Sequence, residues 1–238
     1  DDDLFDGSWG KTYENSPDYS WQVDVYQPDF TTPDWMKNAI IYQIFPDRFF
    51  NGKRSNDPRP TDPTVYDSDV LKQDWSTLPE GYCRGYQGAD AACEEQPMGR
   101  DFYGGDLKGI RDKLLYLKSL GVTAIYLNPI FKAPSNHLYD TSDYYTIDPY
   151  FGTQGDWNSL VDNARRLGIR VILDGVFNHC GRGFWPFHHI LETGAKSPYL
   201  DWFHVKGYPL NAYSDHGHKP NYDAWWGLPA LPKLNVAN

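Results

Sequence analysis

The sequence predicts an α/β fold built on a parallel sheet, and three observations carry that prediction. Three apolar runs have strand length: Ala39-Ile-Ile-Tyr-Gln-Ile-Phe45, Val122-Thr-Ala-Ile-Tyr-Leu127 and Ile169-Arg-Val-Ile-Leu-Asp174. Two amphipathic stretches of helical period alternate with them. The junctions Leu120-Gly-Val-Thr-Ala-Ile125 and Leu167-Gly-Ile-Arg-Val-Ile172 repeat one structural event, a helix stop followed at once by a strand. Near-continuous apolar strands joined through helices mean βαβ units, with the sheet buried on both faces. A doubly wound sheet and a (β/α)8 barrel both fit this pattern.

The elements follow in order. Residues 1–34 form a polar lead-in with one short strand candidate, Ser20-Trp-Gln-Val-Asp-Val-Tyr26, closed by Pro28 and Pro33. Pro46 ends the first apolar run and opens a long loop, 46–105, dense in Pro, Gly, Asp and Asn. A loop of that length inside a compact domain is functional, or is held by a ligand or a disulfide. Asp106 is placed to cap a helix whose Leu107, Ile110, Leu114, Leu117 and Leu120 share one face, with Gly121 at its C-cap. Asp156 is placed to cap a second helix, carrying Trp157, Leu160, Val161, Ala164 and Leu167, which Gly168 ends. After His179 the periodicity stops. Residues 180–238 are aromatic, His-rich and Pro-rich, with one short helix candidate near 187–193. They leave the C-terminal end of the third strand, where such folds build their clefts.

Composition narrows the function classes. A formal net charge of −10 without a basic block argues against nucleic acid and anionic membrane surfaces, and leaves neutral substrates open. No run approaches the ~20 apolar residues of a membrane span. Aromatic residues reach 16%, including 9 Trp and 18 Tyr, which suits sugar rings or the packing of large loops. Cys83 and Cys93 share a Gly-rich loop, where they form a small disulfide in an exported protein or stand as two unrelated thiols. No C-x-x-C is present. The start Asp1-Asp-Asp-Leu-Phe5 is not a signal peptide, so either a signal is already removed or the chain begins at an internal boundary. An extracellular location is expected over a cytoplasmic one, and oligomeric state is not readable.

Five segments then point one way. They are Trp35–Gly52, Phe102-Tyr-Gly-Gly-Asp-Leu107, Asn136-His-Leu-Tyr-Asp-Thr-Ser-Asp-Tyr144, Asp174-Gly-Val-Phe-Asn-His179 and Leu231-Pro-Lys-Leu-Asn235. In this order they resemble short motifs of the α-amylase family of glycoside hydrolases, in its neopullulanase and amylopullulanase branch. One such segment is a weak signal, whereas five in order are specific. The resemblance covers about residues 21–238. It implies the N-terminal portion of a (β/α)8 barrel with a loop-rich B-domain insertion after strand three. The organisation expected is a lead-in over 1–34, three strands and two helices over 35–179 with a calcium-type loop at 46–105, and the B-domain-like insertion over 180–238. In this family the nucleophile, an Asp, ends strand four, and the acid/base Glu follows strand five. Both are expected beyond Asn238, so no catalytic residue is expected here and the 238 residues alone are expected to be inactive and to fold poorly. A second register sets Lys233-Leu-Asn-Val-Ala-Asn238 on the strand-four motif with Asn235 in the nucleophile's place, but Pro232 fits badly in a central strand.

The resemblance also assigns residues. Asp174 supports the first sugar subsite and His179 bonds a sugar hydroxyl, a task that suits a neutral imidazole. Tyr139 stacks on the sugar ring, and His137 is a nearby contact. Each has a plainer reading: a strand-end cap for Asp174, a structural ring for His179, loop packing for the other two. Asp140 and Asp143 read as structural. The loop 46–105 carries oxygen donors suited to Ca2+: Asn51, Asn56 and Asp57, joined from its far end by the Gly104 carbonyl and Asp106. Closing that loop with an ion offsets its ordering entropy, and ordinary turn chemistry is the alternative. In this branch an Asp often stands where this chain has Lys53, a departure that removes a carboxylate and adds a cation, and so either weakens the site or leaves a backbone oxygen to fill the place. His188, His189, His204, His216 and His218 match no metal motif, while Trp202, Trp225 and Trp226 are candidate sugar platforms. The expected function is a retaining hydrolase of α-glucans, acting on α-1,4 linkages and extending to α-1,6. The alternatives are a non-catalytic glucan-binding barrel and a scaffold domain.

Overall fold

In a computed structural model of the chain, residues 29–60, 62, 70–78, 101–213 and 219–237 are described. The strand candidate at 20–26, Cys83, Cys93, His216 and His218 lie outside these residues. The chain divides into two units, Asp1–Asn38 and Ala39–Asn238. The first contains a single-turn helix, α1 (Asp34–Lys37), with an exposed Asp34–Lys37 ion pair at 2.7 Å. In the second the elements run β1 (Ile41–Ile44), α2 (Pro46–Phe49), β2 (Leu71–Lys72), β3 (Asp101–Phe102), α3 (Leu107–Asp112), α4 (Leu114–Ser119), β4 (Ala124–Leu127), β5 (Phe131–Lys132), β6 (Asp143–Ile147), α5 (Gln154–Arg166), β7 (Arg170–Leu173) and α6 (Trp185–Thr193).

The three apolar runs are the three strands of one parallel sheet, in the order β1-β4-β7. Ala124 stands between Ile41 and Arg170, and Leu127 between Ile44 and Leu173. Ile44, Ile125 and Leu127 pack against Leu107, Ile110, Leu114 and Leu117 and against Leu160 and Ala164 of α5, in one buried cluster. The helix faces read from the 3.6-residue period therefore cover the sheet, except at Leu120, which caps the end of α4 and is 51% exposed. β1 and β7 each have one strand neighbour among the described residues. On β1, Ile41 and Tyr42 remain 45% and 39% exposed.

Both helix-to-strand junctions close in the same way. Gly121 and Gly168 take left-handed backbones, φ +84° and +70°. The Gly121 N–H donates to the Lys118 carbonyl and the Val122 N–H to Leu117, while Gly168 and Ile169 donate to Arg165 and Ala164. These are paired Schellman closures. A side chain at either glycine would bring its Cβ against the carbonyl oxygen that the left-handed turn presents.

Two details depart from the sequence reading. The first helix is not continuous. It breaks at Lys113 (φ −99°, ψ 0°), whose N–H is shared between the Gly109 and Ile110 carbonyls. The apolar face survives because Leu114 and Leu117 restart in phase. The cap of α5 is Thr153 rather than Asp156. The Thr153 hydroxyl accepts from the Asp156 N–H, and the Asp156 carboxylate accepts in return from the Thr153 N–H at 2.9 Å. Asp156 thus completes a capping box from the third helical position.

The excursion after β7 has its own core: Cys180, Phe184, Phe187, Ile190, Phe203, Ala212 and Tyr222. Single antiparallel bridges hold it, His179 to Lys233, Phe203 to Leu234, Val205 to Tyr222 and Ala224 to Pro232. Residues 233 and 234 therefore return antiparallel against His179 and Phe203, and do not add a fourth parallel strand.

Candidate functional site

The rim site begins where β7 ends. The Asp174 N–H donates to the Leu127 carbonyl at 3.0 Å, so the ladder carries this carboxylate one residue past the strand. Its Oδ2 accepts the Tyr139 hydroxyl at 2.7 Å. The Tyr126 phenol, from β4, lies beside the same carboxylate and feels its charge. Burial, and then the bond to Asp174, push the Tyr139 phenol far above its ordinary range, and burial and the Asp174 charge raise Tyr126. The Tyr139 phenol stays a protonated donor and aims its proton at the half-buried carboxylate.

Tyr139 and His137 come from the loop that β5 and β6 close as an antiparallel pair. Between them Leu138 is fully buried with φ +58°, a conformation that non-glycine residues rarely adopt. That left-handed step turns His137 and Tyr139 side by side, ring centroids 6.0 Å apart. The Tyr139 N–H donates to His137 Nδ1 at 3.1 Å, which leaves the ring proton on Nε2. Burial lowers the His137 pKa, so the ring is neutral at pH 7. Asp140 sits buried beneath this loop and accepts a short bond from the Ser135 hydroxyl. Asp143 accepts from the Tyr145 N–H and the Thr146 hydroxyl, which organises the start of β6.

His179 closes the other side. Burial lowers its pKa as well, against a hydrogen bond with the Tyr139 backbone that raises it. Its Nδ1 lies 3.1 Å from the Asn178 amide, and its ring stacks on Trp225 at 5.1 Å and 20°. It is only 7% exposed, so any hydroxyl it bonds must enter through a small opening. Tyr144 pins the whole turn: its hydroxyl is 2.6 Å from the Val176 carbonyl and 3.1 Å from that of His179. The structure thus brings Asp174, Tyr139, His137 and His179 together. It adds Tyr126 and Tyr144, which the sequence reading missed. A tyrosine inside the apolar run Val122–Leu127 was the available signal for Tyr126.

The second cluster lies where the two ends of the 46–105 loop meet. Asp47, 1% exposed, accepts from the Tyr103 and Gly104 N–H groups at 3.0 Å, and burial raises its pKa to about 6 against those bonds. The Gly105 N–H donates to the Asp47 carbonyl and the Asp106 N–H to Phe50. The approach is close enough that a Cβ on Gly109 would stand 1.8 Å from the Phe50 carbonyl oxygen. In this closure Asn51 and Asp57 lie against Gly104, with Asn51 Nδ2 bonding Asp57 Oδ1 at 2.7 Å. Asp106 uses Oδ1 to cap α3 through Gly109 at 2.6 Å and to accept from Gly52 at 3.1 Å. Asn56 lies beside Asp106 and donates its amide to the Tyr150 carbonyl. Three oxygens are left buried without a hydrogen-bond partner: Asn51 Oδ1, Asn56 Oδ1 and Asp106 Oδ2. Orphaned acceptors of this kind are costly and ask for a cation or donor. Two carboxylates, two amides and a glycine carbonyl make the hard oxygen set that Ca2+ accepts. No group of three or more His, Cys, Asp or Glu suited to a metal occurs among the described residues. An amide-rich oxygen cluster is chemically different from such a group.

The remaining histidines have local partners. His189 Nδ1 meets the Ser197 and Thr193 hydroxyls, and His188 lies 3.4 Å from Glu192. Trp202 packs within an aromatic group with Phe184, Trp185 and Tyr199.

Residues 43–227 match the family described as "Alpha amylase, catalytic domain". Neopullulanase 2 of Thermoactinomyces vulgaris is 44% identical over 210 residues, 88% of this chain and 31% of that protein. The amylopullulanase of Thermoanaerobacterium saccharolyticum is 42% identical over 241 aligned residues, 100% of this chain and 18% of that protein. Among solved structures, the type III pullulan hydrolase from Thermococcus kodakarensis superposes with a TM-score of 0.69 at 43% identity, over 86% of this chain and 34% of that one. The chain therefore spans about a third or less of the length of these relatives.

Proposed function

Since the chain belongs to the alpha-amylase family through its catalytic domain, we propose that it supplies the substrate-holding first part of an α-glucan hydrolase. Its sheet is the N-terminal portion of a (β/α)8 barrel, and the rim at the C-terminal ends of the strands is where such barrels do their chemistry. The observation that carries the reading is the Asp174 carboxylate, set at that rim by β7 and held by the Tyr139 hydroxyl. The substrates are α-1,4-linked glucans, with pullulan as the candidate carrying α-1,6 linkages. The reaction is retaining: a carboxylate attacks the anomeric carbon, and a second carboxyl acts first as acid and then as base. Neither of those groups is assigned to residues 1–238.

What this chain does follows from its own groups. The Tyr139 ring offers a flat face to a sugar, with its hydroxyl fixed by Asp174. Neutral His137 offers an Nε2–H donor to a sugar hydroxyl. The Asp174 charge, kept from water on one side, favours the positive charge that develops on the ring in an oxocarbenium-like transition state. Asn51, Asn56, Asp57, the Gly104 carbonyl and Asp106 would hold Ca2+. When bound, that ion supplies positive charge to the orphaned oxygens and ties the two ends of the 46–105 loop beneath the rim.

The test is the complete polypeptide incubated with maltoheptaose and with pullulan, the first products followed by proton NMR. The expected result is new reducing ends in the α configuration before mutarotation, with none released by residues 1–238 alone. Products that appear first as β anomers, or no hydrolysis of either glucan, would rule the reading out.

A further inference from the structure

We propose that Trp226 is the platform of an additional glucosyl subsite, reached from the rim along a column of stacked rings. This rests on the α-glucan reading above and extends it to a residue outside the rim. The column begins at His179. Its ring lies on Trp225 at 5.1 Å and 20°, and Trp225 lies on Trp226 at 4.5 Å and 7°. One face of the Trp226 indole is thus occupied by Trp225, while the residue as a whole stays 83% exposed.

Trp226 is held in that position against its own backbone preference. Its φ of 52° and ψ of 21° are left-handed, a region bulky residues rarely enter. The turn around it enforces the conformation. Trp225 N–H donates to Leu231, Gly227 to Ala224, Leu228 to Trp225 and Leu231 to Leu228, and Ala224 bridges Pro232. The Tyr222 hydroxyl adds a bond to the Pro229 carbonyl at 2.6 Å. A rigid turn that spends backbone strain to stack two indoles and turn one outward is built for contact.

The ligand class follows from chemistry and continuity. An indole face binds an uncharged ring that presents C–H groups, and a hexose does so. The inner end of the column is tied to the Tyr139 backbone, whose hydroxyl bonds Asp174. A glucan seated at the rim therefore meets the open indole further along its length. Trp202 lacks this geometry, because Trp185 and Tyr199 contact it edge to face.

The experiment compares Trp226→Ala and Trp226→Phe in the complete polypeptide, using maltotriose and maltoheptaose as substrates. Maltotriose is short enough to be held at the rim alone. Trp226→Ala is expected to lower kcat/KM for maltoheptaose about tenfold, mainly through KM. It is expected to leave maltotriose unchanged, and Trp226→Phe, which keeps a ring, is expected to recover most of the loss. Equal effects of Trp226→Ala on both substrates, or none on either, would overturn the subsite. Normal maltotriose hydrolysis in that case leaves the proposed activity standing. Failure of the unmutated protein to hydrolyse either substrate removes both readings.

Discussion

Asp174→Asn in the complete polypeptide is expected to lower kcat/KM on maltoheptaose about 100-fold, with most of the loss in kcat. The physical reason lies in what the carboxylate accepts. An ionised Asp is an acceptor only, and here it takes the proton of Tyr139, with the Tyr126 phenol close beside it. An amide keeps one acceptor oxygen and replaces the other with a donor. One phenol then has to turn its proton away or shift its ring, and a displacement of about 1 Å at a reacting centre is enough for a loss of this size. The substitution also removes the negative charge that favours an oxocarbenium-like transition state. Folding is affected less, because Tyr144 still pins the Val176 and His179 carbonyls and the β4–β7 ladder is untouched. The melting temperature is expected to fall by only a few degrees. Tyr139→Phe is expected to cost less than Asp174→Asn, since the carboxylate and its charge remain in place. A melting transition that collapses while kcat stays unchanged would assign Asp174 to structure.

Removing Ca2+ with a chelator is expected to give the second large effect. An ion present at about 100 times its Kd stabilises by about 2.7 kcal/mol, read as a higher melting temperature of the complete polypeptide. Asp106→Asn separates the ion from the helix cap. Asn caps nearly as well as Asp, so the bonds to Gly109 and Gly52 survive, while the orphaned Oδ2 becomes a donor and the charge is lost. The variant is expected to melt close to the chelated parent and to gain nothing from added Ca2+. The pH dependence has a definite sign. Burial raises the Asp106 pKa above its ordinary 3.8, against the N–H groups of Gly109 and Gly52 that lower it. The ion-free folded state therefore holds this proton more tightly than the unfolded chain does. That contribution is present at low pH and fades as pH rises through the raised value. Ca2+ competes with the same proton, so the gain from the ion shrinks as pH falls and begins to do so above the ordinary carboxylate range. Identical melting temperatures in Ca2+ and in chelator from pH 5 to 8 would exclude the ion.

The fold was legible wherever periodicity and stereochemistry agreed. The strands at 41–44, 124–127 and 170–173 lie within the apolar runs, and Gly121 and Gly168 end their helices as read. The break at Lys113 was not legible, because the apolar residues stay in phase across it and only the backbone angles of Lys113 change. Thr153 was passed over because Asp156 is the better acceptor in isolation, and a capping box needs both ends seen together. The roles assigned by resemblance to Asp174, His137, Tyr139 and His179 fall on residues that the fold gathers at one rim. Tyr126 and Tyr144 were hidden because a tyrosine in a strand looks like packing until its hydroxyl's partner is known. Asp47 was hidden for a different reason. Its partners, Tyr103 and Gly104, lie across the long loop, and no local pattern joins the two.

A complex of the complete polypeptide with a non-hydrolysable maltotriose analogue tests the central claim most directly. The expected result is a glucosyl ring against the Tyr139 face at the end of β7, with hydroxyls about 3 Å from His137 or His179. A ring bound only elsewhere, with Tyr139 and Asp174 untouched, would contradict it.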